Sequence, residues 1–156
     1  MPTVALRFTP LAEHVRTARL VAVSVARRAG FGEDQLDEIR IAIGEACARA
    51  VSAAEAAAGR AGLVDVRLSD EQDRLEVTVL RCGEDGSPLP GPGAAPDAPT
   101  PAPGAPAPGA MSAAQDELSL ALMTGSAGTS GPSTAPGGVH LTWVREDAGA
   151  VAQPLG

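Results

Sequence analysis

The chain begins with an alternating apolar and polar pattern, which is followed by apolar residues at helical spacing. Val4 to Phe8 ("VALRF") alternates apolar and polar residues, which predicts a β-strand. Thr9 and Pro10 then offer an N-cap and a first-turn proline, so a helix is predicted to begin there. From that point to Gly30, apolar residues recur at spacings of three and four and predict a core-facing stripe. The stripe consists of Leu11, Val15, Ala18, Ala22, Val25 and Ala29.

The opposite side of this first helix combines charges with apolar residues. Leu20 and Val23 lie outside the stripe, and Glu13, Arg16 and Arg27 lie on the same side. An apolar strip among charges requires a covering surface or a partner. We therefore expect Leu20 and Val23 to belong to a contact surface.

A second helix is predicted from Glu33 to about Ala57, because the same spacing returns and acids stand in its first turns. Its apolar stripe consists of Leu36, Ile39, Ile43, Ala46, Ala50, Ala53 and Ala57. Its polar side holds Glu38, Glu45, Arg49 and Ser52. Glu45 precedes Arg49 by four residues, which is the favourable order for a surface ion pair on a helix.

Beyond the second helix the pattern changes to period two. The stretches "LVDVRLS" and "RLEVTVLR" alternate around "DEQD", which predicts an antiparallel hairpin, and "VHLTWVRE" predicts a last strand. A short helix is predicted over residues 113–123. Residues 83–112 and 124–138 are rich in Pro, Ala, Gly and Ser and are predicted to be flexible, as is the tail 147–156.

These elements predict a single α/β domain over residues 1–146, interrupted by the loop 83–112. We expect a two-layer sandwich in which helices cover one face of a mixed, mostly antiparallel sheet of about four strands. Aromatic residues make up only 2% of the chain, so the core is predicted to consist mainly of Ala, Val, Leu and Ile.

Charge and cysteine usage narrow the functional classes. The formal net charge is -7 and the arginines are dispersed among the acids, which argues against nucleic-acid binding. Cys47 and Cys82 show no ligand spacing with His14 or His140, so we expect buried free thiols and no metal site. No signal-peptide pattern is present, and the apolar run 20–26 is too short to cross a membrane, so the sequence predicts a cytoplasmic protein.

Three stretches carry a resemblance to a known family: "FTPLAEHVRTARLVA", "DEIRIAIGEA" and "LEVTVLR". With the order of the elements, they resemble the GHKL (Bergerat-type) ATPase fold and, more narrowly, the RsbW and SpoIIAB group of anti-sigma factors, which are small serine protein kinases. The resemblance implies a sigma factor and a STAS-type anti-anti-sigma protein as partners, and a homodimer. It also implies that Arg19 contacts these partners, and we include Arg16, Leu20 and Val23 in that surface.

The nucleotide-binding boxes of that family are altered here. The family has Glu-Ala-x-x-Asn on its second helix, with the Glu serving proton transfer and the Asn binding Mg²⁺; Glu45 matches, but Arg49 replaces the Asn. A guanidinium offers only donors and cannot coordinate Mg²⁺. In the Asp-x-Gly-x-Gly box, Arg81 replaces the adenine-binding Asp and Gly83 is the glycine that remains. The phosphate-binding glycine box before Leu118 is missing.

Two alternatives stay open at these boxes. Asp85 with Gly86 could form the adenine box in a shifted register, and Arg49 could bind phosphates directly. The sequence predicts a regulatory anti-sigma protein with no nucleotide cofactor, in which Glu45 is idle. The other hypotheses are an active serine protein kinase that uses ATP and Mg²⁺, and a structural dimer without a sigma partner.

Overall fold

The computed structural model describes residues 2–56, 62–89, 121, 129–132 and 138–145. The helices and strands in this part of the chain are β1 (Thr3–Phe8), α1 (Ala12–Arg28), α2 (Glu33–Ala56), β2 (Gly62–Glu71), β3 (Arg74–Gly83), β4 (Thr129–Pro132) and β5 (Val139–Val144). The predicted helix over residues 113–123 lies outside the described residues except for Ala121, which is helical. The predicted tail 147–156 lies outside them as well.

The strands form one five-stranded sheet in the order β1-β2-β3-β5-β4, and all the described pairings are antiparallel. The predicted α/β sandwich is therefore confirmed, although these pairings make the sheet antiparallel throughout and add a fifth strand. That strand, Thr129–Pro132, pairs with β5 inside a stretch predicted to be flexible, so the prediction for 124–138 is wrong at these residues. Strand pairing satisfies backbone donors and acceptors whatever the side chains are, so composition did not reveal it.

The predicted hairpin is confirmed, with a shorter turn than the sequence indicated. Asp70 and Glu71 belong to β2, which leaves Gln72 and Asp73 as the whole connection to β3. Gln72 has φ 52, in the left-handed region. Two-residue hairpin loops favour positive φ because the resulting backbone twist matches that of the flanking strands.

One face of the sheet carries the core. Alternation along β2 and β3 directs Val64, Val66, Val77 and Val79 to the face covered by α1 and α2, and Trp143 of β5 is buried beside them. The helices contribute mostly small and branched residues to this core. The buried apolar residues of the helices are Val15, Ala18, Ala22, Val23, Val25, Ala26, Leu36, Ile39, Ala42, Ile43, Ala46, Cys47 and Val51.

The prediction that Val23 lies on the exposed side of α1 is wrong. Val23 is a core residue, whereas Leu20 is exposed as expected. Helix α1 packs against α2 as well as against the sheet, so its buried arc is wider than a single stripe. Leu11, predicted to begin the stripe, is exposed because it precedes the first helical turn.

The helix start is also shifted from its predicted position. Leu11 occupies the N-cap of α1 and no side chain caps the helix. The Thr9 carbonyl accepts a hydrogen bond from Leu11 N at 2.7 Å, and the Thr9 hydroxyl lies 3.2 Å from His14 Nδ1. Thr9 therefore uses its polar groups before the helix begins and is not the N-cap.

The end of α1 agrees with the sequence and is tied to the sheet. Gly30 has φ 88, its amide donates to Arg27 O, and Phe31 N donates to Ala26 O, which is the Schellman arrangement. At the end of β5, Arg145 Nη1 donates to Ala29 O at 2.8 Å. A cation at a helix C-terminus compensates the partial negative charge of the last carbonyls.

We predict that Gly30→Ala lowers the free energy of unfolding by about 1–2 kcal/mol, because a Cβ is unfavourable at positive φ. The new Cβ would also lie 3.2 Å from Arg145 Nη1. Gly30→Asn is the matched control, since Asn adds the same Cβ but tolerates the left-handed region better than Ala. Urea denaturation of both variants measures the difference. Equal midpoints would show that the αL position does not constrain this helix end.

Candidate functional site

The middle of α2 carries Glu45 and Arg49, which align with the Glu-Ala-x-x-Asn box. Glu45 and Arg49 are both half-buried, and the residues next to Glu45 in the chain, Ala46 and Cys47, are in the core. The two polar residues therefore lie at the border of the core, on the helix that covers β2 and β3.

Arg81 lies on the side of the sheet that faces the helices. Leu75, Val77 and Val79 of β3 point into the core, and period-two alternation places Arg81 on the same face, opposite the buried Val64. Its exposed fraction is only 8%. A guanidinium thus occupies the helix-facing end of β3, at the position compared with an adenine-binding carboxylate.

The segment that follows β3 is a hydrogen-bonded turn. Gly83 N donates to Ser87 O at 2.8 Å, Gly86 N donates to Gly83 O at 2.9 Å, and Leu89 N donates to Arg81 O at 2.7 Å. The prediction that the flexible loop begins at Gly83 is therefore wrong for residues 83–89, because these backbone bonds satisfy the turn without an apolar core. Residues 90–112 lie outside the part of the chain that is described.

Asp85 is engaged inside this turn. Its Oδ1 accepts hydrogen bonds from Ser87 Oγ at 2.6 Å and from Ser87 N at 3.0 Å. The Ser87 hydroxyl, followed by the Ser87 amide, lowers the pKa of Asp85 below its usual 3.8, since both bonds favour the carboxylate. For Asp85 to bind adenine in a shifted register, this turn would have to open.

Arg19 lies across α2. A Cβ placed on Gly44 would be 3.0 Å from Arg19 Cδ and 3.6 Å from its Nε, so the stem of Arg19 runs over the glycine. Burial raises the pKa of the nearby Cys47 thiol to about 12, and the positive charge of Arg19 partly opposes that increase. Arg16 and Arg19 are exposed, as predicted, and Leu20 beside them has an exposed fraction of 60%.

A shallow apolar groove lies next to this surface. It has a volume of about 390 Å³ and runs between α1 and β1, the edge strand of the sheet. Its lining consists of Val4, Leu20, Val21, Ser24, Val25 and Arg28. The groove and the exposed Leu20 together form an apolar area on α1.

The face of the sheet opposite α1 and α2 holds a buried carboxylate. Asp65 is fully buried, and its Oδ2 accepts hydrogen bonds from Arg67 Nε at 3.2 Å, from Arg67 Nη2 at 3.1 Å and from Arg7 Nη2 at 3.4 Å. Asp65 Oδ1 has no hydrogen-bond partner among the described residues. Two arginines compensate the cost of burying this carboxylate, so we assign the cluster a structural role.

Two further residues of α2, Gly44 and Ile41, have weak signals in the sequence. Gly44 was not singled out, although a glycine inside a strong helical pattern marks a close approach. The side chain of Ile41 has an exposed fraction of 49%. Ile41 lies outside the predicted apolar stripe of α2, and this position in the sequence indicates its exposure. The free cysteines Cys47 and Cys82 are buried, as predicted.

Within the described residues, no group of three or more His, Cys, Asp or Glu side chains is arranged to hold a metal ion. Neither α1 nor α2, the two long helices of the described part, is long and apolar enough to cross a membrane.

Residues 8–142 match the family model of the histidine kinase-like ATPase domain. The chain is similar to proteins named serine-protein kinase RsbW. It is 36% identical to the Bacillus licheniformis protein over 72 residues, which is 46% of this chain and 45% of that protein. The Bacillus subtilis protein is 38% identical over 72 residues, 46% of this chain and 44% of its own length. The chain thus spans about half the length of the curated relatives it matches.

We predict that Ser87→Ala raises the pKa of Asp85 toward its usual 3.8, because the hydroxyl donor is the main cause of the lowered value. The lowered pKa means that the bonds in the turn stabilise the fold above pH 3.8 and lose this effect as the pH falls through the pKa of Asp85. An NMR titration of the Asp85 side-chain carboxyl measures the change. Ser24→Ala is the control, since the Ser24 hydroxyl bonds to Leu20 O. An unchanged titration in Ser87→Ala would contradict the assignment.

Proposed function

The chain belongs to the histidine kinase-like ATPase domain family, and on this basis we propose that it is an anti-sigma factor of the RsbW type. In this proposal it sequesters a sigma factor and is itself captured by a STAS-type anti-anti-sigma protein. The observation that carries the proposal is the arginine surface of α1. The side chain of Arg19 extends from α1 over Gly44 of α2, and the exposed Leu20 lies next to Arg19. Similarity to proteins named serine-protein kinase RsbW supports it.

The chemistry of the α1 surface suits a protein partner. Arginine combines a delocalised charge with an apolar stem, and it is enriched at protein interfaces. Leu20 contributes apolar area next to this charge, as the core of an interface requires. Val23 is buried and has no part in the proposed contact, so the proposed partner surface consists of Arg16, Arg19 and Leu20.

We also propose that the chain forms a homodimer in the cytoplasm. One feature supports a second copy against the β1 edge of the molecule. Among the described strands, β1 is an edge of the sheet, and an edge strand presents unpaired backbone groups to a second copy.

The third part of the proposal is that the nucleotide site is degenerate and that Glu45 is idle. Arg81 supports this, because a nearly buried guanidinium stands where the family has a carboxylate, and it cannot accept the amino hydrogens of adenine. Arg49 supports it too, since a guanidinium cannot coordinate Mg²⁺. These residues do not fit Mg·ATP, so the proposed activity includes no phosphoryl transfer.

The alternative is an active serine protein kinase, which the names of the similar proteins favour. Incubation with γ-labelled ATP and a purified STAS-type protein tests it directly. Transfer of label to a serine of the STAS protein would establish the kinase, and its absence would agree with the degenerate site.

We predict that Arg19→Glu weakens binding of the sigma factor that copurifies with the full chain by about tenfold or more, because the reversed charge opposes the partner's complementary charge. Titration calorimetry measures the affinity, and circular dichroism verifies the fold. Arg74→Glu is the control, since Arg74 is a half-exposed arginine on the face of the sheet opposite α1 and α2. Equal loss in both variants, or none in Arg19→Glu, would remove Arg19 from the interface.

We predict no saturable binding of Mg·ATP up to millimolar concentrations. Arg49 aligns with the Mg²⁺-binding Asn of the family and Arg81 with its adenine-binding Asp. Restoring only one of them, as in Arg49→Asn, should therefore not recover binding. Calorimetric titration of the full chain and of this variant measures it. Micromolar affinity of the unmodified chain would contradict the degenerate site and would make Arg49 a phosphate ligand.

A further inference from the structure

Gly44 stands inside α2, where glycine is less favourable than alanine because of its backbone entropy. Its φ is not in the left-handed region, so the backbone does not require a glycine there. The space around it supplies the reason. An added Cβ would lie 3.0 Å from Arg19 Cδ and 3.8 Å from its Cγ, and carbon atoms pack optimally at about 3.5–4.0 Å.

We propose that Gly44 is a positioning residue for Arg19. The notch left by its missing side chain holds the aliphatic stem of Arg19 across α2 and thereby sets where the guanidinium is presented. The partner surface would then depend on both helices, because α1 supplies the charge of Arg19 and Gly44 of α2 sets its position. The proposal rests on the proposed function only in assigning Arg19 to the partner contact.

Geometry separates this role from a role in stability. The Arg19 stem is long and exposed at one end, so it can swing away from a new Cβ by changing rotamer. Alanine is also the best helix former. Gly44→Ala should therefore fold with a melting temperature equal to or above that of the unmodified chain. The side chain of Arg19, however, should move away from its position over residue 44.

The first test needs no partner. In the full chain labelled with ¹⁵N, the Nε–H signal of Arg19 is identified by its loss in Arg19→Lys. We expect restricted motion of this group in the unmodified chain and in Gly32→Ala, the control with open space around its Cβ. In Gly44→Ala we expect a shifted and more mobile signal. An unchanged signal, or a melting temperature below that of the unmodified chain, would overturn the proposal.

The second test is a double-mutant cycle with the sigma factor that copurifies with the full chain. We expect Gly44→Ala and Arg19→Ala each to weaken binding about tenfold, and Gly44→Ala to cause no further loss in the Arg19→Ala background. An equal further loss there would overturn the positioning role. A mobile Arg19 signal with unchanged affinity in Gly44→Ala would uphold that role and would instead contradict the proposed interface.

Discussion

Burial of one face of the sheet under α1 and α2 is the interaction on which the rest of the structure depends. Each fully buried Val or Leu contributes about 1.5–3 kcal/mol relative to an exposed one, and the inward positions of β2 and β3 are almost all Val or Leu. Because side chains alternate along a strand, this burial also decides where the polar residues lie. Arg81 faces the helices, and Asp65, on the neighbouring strand, faces away from them.

The two helices approach each other through small residues. Ala18, Ala22 and Ala26 of α1 and Ala42 and Ala46 of α2 are buried, and small side chains permit close packing of helix backbones. The pair leaves room at Gly44 for the stem of Arg19. The same packing that completes the core therefore shapes the outer surface of the helical layer, which is where the proposed partner contact lies.

The end of β3 satisfies its polar groups within the chain. Backbone bonds close residues 83–89, and Asp85 accepts two bonds from Ser87. In the proposed function, the hydrogen-bonded turn 83–89 and the guanidinium of Arg81 stand where the family has its adenine-binding carboxylate and glycines. A family whose fold positions both a nucleotide site and a partner surface can retain the second after the first has changed, because the two depend on different residues.

The sequence by itself determined the two long helices, the hairpin and the fold class, since hydrophobic period is a local property of the chain. It also places Arg49 and Arg81 where the family that it resembles has Asn and Asp, and the loss of the nucleotide site stays a prediction. Only the tertiary structure decided that Val23 is buried, because α1 packs against α2 as well as against the sheet. It likewise decided that Thr129–Pro132 joins β5, because pairing uses backbone groups common to all residues. The contact of Arg19 with Gly44 joins two helices, and no local pattern records which residues meet across such an interface.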